Sequence, residues 1–197
     1  MTDPPVSKDE KGRRDGILNA AGETFIRYGF RKTSMDDVAR AAGLSRQSLY
    51  AYFPTKEALF GDMVEHLVAA TREACRAALA RENVELEARL VDSFDAMYGS
   101  ALDDDGSRHL NELFAAAEQL LGDVVRNMER TIVADIARVF REHAVGAHWQ
   151  KKGIAATALA DHLYTVSTGL KHRGVPREEY RERMRTAVRI VCRGARG

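Results

Sequence analysis

The sequence predicts an all-α fold of about nine helices, on three observations. Nearly every segment repeats its apolar residues with a period of 3.6, and none alternates as a half-buried strand would. Only four prolines occur, and none interrupts a long periodic segment. The composition, 45% hydrophobic and 30% charged, suits packed amphipathic helices. The 197 residues suffice for one large domain or two small ones without a long linker.

The elements follow in order. Residues 1–8 are polar and expected to be disordered. In the first helix Ile17, Ala20, Ala21, Phe25 and Tyr28 share a face, and Gly29 is placed to end it. Ser34 can cap the second helix, with Asp37 three residues on completing a capping box; Val38, Ala39 and Ala42 form its inner face. Gly43 permits the left-handed turn of a tight corner, and Leu44 packs back. Ser45 caps a short helix reaching about Phe53, where Pro54 stops it. Thr55 caps a long helix from Lys56 to about Ala80, with Leu59, Phe60, Met63, Val64, Leu67 and Val68 as its apolar stripe. Further helices are expected over roughly 84–102, 108–121, 123–144, 152–172 and 176–194. The breaks fall at Asp103-Asp104-Asp105-Gly106, at Gly122-Asp123, between Gly146 and Gly153, and at Gly174-Val175-Pro176. Short helices in front give way to longer ones behind near residue 56, dividing the chain into segments 1–55 and 56–197.

Charge and motif content exclude several functions. With 30 basic and 29 acidic residues the net charge is +1, so any nucleic-acid contact needs a local patch. No apolar run of membrane-spanning length and no secretory signal is present, and a cytoplasmic location is expected. Cys75 and Cys192 are far apart and read as reduced packing thiols. A Gly-rich phosphate loop, a nucleophile elbow and a zinc-binding helix motif are all missing. His109 and Glu112 stand in the reverse order of the Glu-x-x-His pairs that di-iron bundles use. The Asp103–Gly106 turn lacks the remaining ligands of a calcium loop. No catalytic residue, metal or cofactor is expected.

The front segment has a helix-turn-helix plan: short helix, glycine corner, short helix. In a DNA-binding version the first turn of the second helix enters the major groove. Arg46 and Gln47 can each make two hydrogen bonds to a base, to guanine and adenine respectively, and Ser48 can meet a base or a phosphate. Leu49 and Phe53 would anchor the opposite face. Thr33, Tyr50 and Lys56 are candidates for phosphate contact, Thr33 and Lys56 because helix starts attract anions. Arg31 and Lys32 add positive charge beside them. Asp36 is the one discordant residue, since it would repel a nearby phosphate unless turned away. The caps alone would also fit an ordinary all-α protein; the density of polar, anion-friendly groups on one surface favours DNA.

Residues 14–60, RDGILNAAGETFIRYGFRKTSMDDVARAAGLSRQSLYAYFPTKEALF, resemble the N-terminal domain of the TetR/AcrR family of bacterial transcriptional regulators. The matching features are the Ala-rich first helix ending in Phe-x-x-Tyr-Gly, Thr33-Ser34-Met35, Val38-Ala39, Ala42-Gly43, Leu44-Ser45, Leu49-Tyr50, Tyr52-Phe53 and Lys56-Glu57-x-Leu59. The resemblance implies a homodimer with two such heads on double-stranded operator DNA. It carries Arg46, Gln47 and Ser48 onto base-reading positions and Thr33, Tyr50 and Lys56 onto phosphate-contacting ones. Behind the head it implies a helical pocket for a small-molecule effector and two last helices that dimerise.

The rear segment offers residues for both roles. Leu159, Leu163, Val166 and Leu170, interleaved with small residues, and Tyr180, Met184, Val188 and Val191 are expected at the dimer interface. The same stripes could pack inside one chain; the small residues over 155–170 favour the interface. Arg181, Arg185, Arg189 and Arg193 line another face of the last helix, read as solvated. His66, Phe94, Met97, Tyr98, Phe114, Glu118, Met128, His162 and Tyr164 are the pocket candidates, a mixture suited to a largely apolar ligand. Together these readings describe a repressor released from a near-palindromic operator when a ligand tilts the long helix that starts at Lys56. The alternatives are a helical-bundle enzyme and a ligand-independent DNA-binding regulator.

Overall fold

A computed structural model describes residues 8–102 and 107–194. The segment before Lys8 and the Asp103–Gly106 turn lie outside the described residues. Nine helices run in the order α1 (Lys8–Tyr28), α2 (Met35–Ala41), α3 (Arg46–Tyr52), α4 (Lys56–Leu79), α5 (Leu86–Leu102), α6 (Ser107–Glu142), α7 (Ala144–Lys151), α8 (Ala156–His172) and α9 (Arg177–Arg193), with no strand among the described residues. Among these residues no helix is long and apolar enough to cross a membrane.

The chain divides into two compact units. The first takes residues up to Val68 together with Arg108–Gly122; the second takes Ala69–Ser107 and residues from Asp123 onward. The head unit is therefore larger than the 1–55 segment, since it includes the first turns of α4 and the first part of α6. The expected break at Gly122-Asp123 is a kink, with Leu121 at φ −138°, ψ 33° inside α6.

In the head unit the local signals act as read. The Ser34 hydroxyl accepts from the Asp37 amide at 3.2 Å, and the Asp37 carboxylate accepts from the Ser34 amide at 2.9 Å. These bonds satisfy N–H groups that a helix start leaves unpaired, and the Ser34 hydroxyl, donating to the Asp37 carboxylate at 2.5 Å, together with the Ser34 amide holds that carboxyl below its usual range. At the corner the Leu44 amide donates to the Ala39 carbonyl at 2.8 Å, and Gly43 takes φ 66°. Ser45 Oγ accepts from the Ser48 amide at 3.0 Å and Thr55 Oγ1 from the Ala58 amide at 3.0 Å, capping α3 and α4. Ile17, Ala21, Phe25, Val38, Leu49, Phe53, Leu59 and Phe60 form the buried core. Phe60 is the aromatic hub, edge-on to Phe25 at 5.4 Å and 4.6 Å from Phe30. Leu67, expected on the apolar stripe of α4, is 52% exposed.

Gly29 ends α1 at φ 81°, a conformation that a side chain disfavours. A Cβ there would also stand 2.7 Å from a Glu112 carboxylate oxygen. Glu112 accepts from the Arg31 amide at 3.1 Å, so the first part of α6 grips the turn between α1 and α2 within this unit.

In the second unit α9 packs on α5 and α8. Tyr180 is fully buried at the centre, its hydroxyl 2.6 Å from Ser167 Oγ and donating to the Phe94 carbonyl at 3.2 Å. Asp95, 7% exposed, accepts from Arg177 at 2.9 and 3.1 Å and also pairs with Arg181. The arginine row of α9 is thus partly structural: Arg181 also bonds Asp92 at 3.0 Å, and Arg193 meets Glu87 at 2.9 Å. Cys75 and Cys192 are both buried and neither is in a disulfide, and burial pushes the Cys75 thiol up to about 11.

Two expectations need correction here. The stretch from Gly146 to Gly153, read as a break, is helical as far as Lys151, as most of α7; Gly146 lies so close to Phe140 that a Cβ would overlap its carbonyl, and Trp149 Nε1 donates to the Val191 carbonyl at 2.8 Å. The glycine-rich composition hid a helix that tertiary contacts hold. The expected dimer residues Leu159, Leu163, Leu170, Tyr180, Met184, Val188 and Val191 are buried within the single chain, and Val166 is half-buried. They form the internal α5–α8–α9 core, and the faces left outward carry Ala158, His162, Thr165 and Gly169 on α8 and Arg183, Thr186 and Ile190 on α9.

Candidate nucleic-acid interface

The interface begins with the orientation of α3. Leu49 is fully buried and Phe53, its C-cap, is 1% exposed. Fixing these two positions, four apart, turns the other side of the helix outward. Arg46, Gln47 and Tyr50 are exposed, Tyr50 to 39%. Ser48 is half-buried, with its hydroxyl 2.8 Å from that of Ser45, so the cap already engages it. Tyr52 is half-buried beside Phe53.

Arg46 is restrained twice. Its Nε and Nη1 lie 3.2 and 3.3 Å from the two carboxylate oxygens of Asp36, in the first turn of α2. Its guanidinium also stands 5.5 Å from the Tyr50 ring centroid. The hydrogen bond with Tyr50, and then the Asp36 charge, raise the Arg46 pKa above its ordinary value. Asp36 is thus turned towards a partner on α3. Sequence reading missed this pairing because it spans ten residues and depends on the angle of the corner.

The phosphate-contacting expectation divides. Tyr50 is on the outer side of α3, as that role requires. Thr33 is 2% exposed and donates its hydroxyl to the Gly29 carbonyl at 2.8 Å, so the side chain closes the α1–α2 turn. The Lys56 ammonium donates to the carbonyls of Phe30 at 3.0 Å and Thr33 at 3.1 Å, and lies 4.6 Å from the Phe30 ring centroid. The side chains of Thr33 and Lys56 support the surface from within. Both were read from their place at helix starts, which says nothing of where a long side chain folds back.

The pocket candidates divide between the two compact units. His66, Phe114 and Glu118 belong to the head unit, where His66 Nε2 is 3.2 Å from Asn19 Oδ1 and Glu118 is exposed. In the second unit Phe94, Met97, Tyr98 and Tyr164 are buried, Met128 is half-buried and His162 is exposed. Burial pushes the Tyr98 and Tyr164 hydroxyls above the ordinary tyrosine value, and the nearby Glu129 charge adds to this in both. A pocket of about 310 Å³ in that unit is lined by Glu85, Leu86, Glu87, Ala144, Val145, His148 and Cys192, none of which was a candidate.

The comparisons with known proteins point the same way. The model of the bacterial regulatory proteins of the tetR family matches residues 17–63, which cover α2, α3 and parts of α1 and α4. The HTH-type transcriptional repressor KstR2 of Rhodococcus jostii (strain RHA1) is 32% identical over 132 residues, 61% of this chain and 64% of that repressor. The HTH-type transcriptional regulator RutR of Escherichia coli (strain K12) is 28% identical over 163 residues, 80% of this chain and 71% of that one. The match to KstR2 therefore spans less than two thirds of that protein's length. Among solved structures, a TetR transcription regulator from Haloarcula marismortui ATCC 43049 superposes with a TM-score of 0.73 at 18% identity, covering 93% of this chain and 98% of that one. Salmonella enterica GusR superposes with a TM-score of 0.66 at 23% identity, covering 95% and 98%. These two likenesses establish the shared fold, and the sequence match lies in the head: residues 17–63 carry the helix-turn-helix segment of the bacterial regulatory proteins of the tetR family.

Proposed function

We propose that the protein is a homodimeric DNA-binding transcriptional regulator, not an enzyme, acting in the cytoplasm as a repressor. Arg46 and Gln47 read base edges, with Ser48 beside them, and Tyr50 meets a phosphate. The observation that carries this reading is the polarity of α3: Leu49 and Phe53 are locked in the core while Arg46, Gln47 and Tyr50 stand exposed. A helix held this way offers its N-terminal side chains to the major groove. Repression is favoured by the relative named as a transcriptional repressor.

Pairing of two chains supplies the second head. The outward faces of α8 and α9 are the surface for it, with Ile190 65% exposed beside small residues that permit close helix approach. Two heads would read half-sites about 34–36 Å apart, so modest spreading of the pair abolishes docking. A small, largely apolar effector bound among the rear helices would cause that spreading through α4, which contributes to both compact units.

The test is selection of bound duplexes from a random library by the purified chain. A near-palindromic consensus is expected, and Gln47→Ala should weaken binding to it by about 10-fold, the discrimination of one two-bond base contact. Selection of no consensus, or unchanged affinity of Gln47→Ala, would refute the assignment.

A further inference from the structure

We propose that Asp36 is a specificity-determining positioning residue: its carboxylate pairs with the Arg46 guanidinium and ties it to the start of α2, which disfavours a phosphate contact more than a base contact. This rests on the reading of α3 as the base-reading helix.

A guanidinium carries five N–H donors arranged as two forks. The Asp36 carboxylate accepts a hydrogen bond from Nη1 at 3.3 Å, and its other oxygen lies 3.2 Å from Nε as an ion pair. A guanidinium so paired still has further N–H donors to offer the O6 and N7 acceptors of guanine. The Tyr50 ring, 5.5 Å away, restrains the same group from a third direction. The arginine is thus aimed before it meets DNA.

The pairing also filters. An unpaired arginine at a helix start binds any phosphate, and phosphates occur at every step of the duplex. Arg46 cannot move onto a phosphate without either leaving Asp36 or bringing that carboxylate beside the anion. Contact with a neutral guanine edge brings no second anion beside the carboxylate. Both side chains are largely exposed, 66% for Arg46 and 50% for Asp36, so the pair is weak enough to adjust on docking. The acidic residue that seemed out of place on a DNA-binding face thereby penalises the wrong contact of its neighbour.

The experiment compares Asp36→Asn with the unaltered protein on the selected duplex and on a scrambled one, over a salt series, in both the wild-type and the Arg46→Ala background. Asp36→Asn should tighten scrambled-duplex binding by about 3- to 10-fold at moderate salt and steepen its salt slope by about one. Affinity for the selected duplex should change by less than about threefold, so the specificity ratio falls. In the Arg46→Ala background Asp36→Asn should leave that ratio unchanged, because the carboxylate acts through the arginine. Equal tightening on both duplexes in the wild-type background, or the same fall in ratio without Arg46, would overturn the proposal and leave Asp36 a background charge. Failure of the unaltered chain to prefer any duplex would instead remove the DNA-reading assignment on which the proposal stands.

Discussion

Replacing Lys56 by Met separates two roles for one residue. The ammonium holds the carbonyls of Phe30 and Thr33 at 3.0 and 3.1 Å, with the carbonyl of Arg31 at the 3.5 Å limit. Hydrogen bonds to a charged group contribute about 1.5–3 kcal/mol each. The site is half-buried, so the lower end applies, and losing two good bonds costs about 3 kcal/mol. Methionine retains much of the stem's packing but leaves the carbonyls without a donor. A chain of this size loses roughly 2–4 °C of Tm per kcal/mol, so the melting temperature should fall by about 6–12 °C. Circular dichroism melts on the two proteins measure this, and salt-dependent DNA binding is read on the same preparations. If Lys56 instead grips phosphate, Tm stays within about 1 °C while the salt slope for the selected duplex drops by about one. That pair of results would refute the inward role.

Two further outcomes follow from the second unit. Burial raises the Asp95 carboxyl pKa, but the Arg177 hydrogen bond and the Arg181 and Arg177 charges outweigh it and leave the pKa below the ordinary value. A lowered folded pKa adds stability that is fully present above the unfolded value of about 3.9 and is lost as pH falls through the folded value. Asp95→Asn should therefore cost about 2–3 kcal/mol in urea unfolding at pH 7, with the gap to the unaltered protein narrowing near pH 3; a gap independent of pH would contradict the charge argument. On α9, Ile190→Asp should yield a folded monomer by sedimentation, whereas Val188→Asp, at a fully buried position, should unfold the chain. A dimer that survives Ile190→Asp would move the pairing surface elsewhere.

The sequence by itself determined what depends on near neighbours along the chain. The capping box of Ser34 and Asp37, the caps at Ser45 and Thr55, and the left-handed glycines at 29 and 43 all act within a few residues, so pattern alone locates them. Helical periodicity likewise fixed the inner faces of α3 and α9, since Leu49, Met184 and Val188 recur at the spacing that burial demands. Periodicity says that a stripe is buried, though, and not against what. Only the tertiary structure decided that the stripes of α8 and α9 pack on α5 within one chain. It alone also turned Lys56 and Thr33 inward, joined Asp36 to Arg46 across the corner, and formed α7 from a glycine-rich stretch by docking Trp149. Apart from the Thr33 bond to Gly29, each of those outcomes joins residues ten or more apart in sequence, where direction and distance come from the packing of whole helices and are not encoded in any short window.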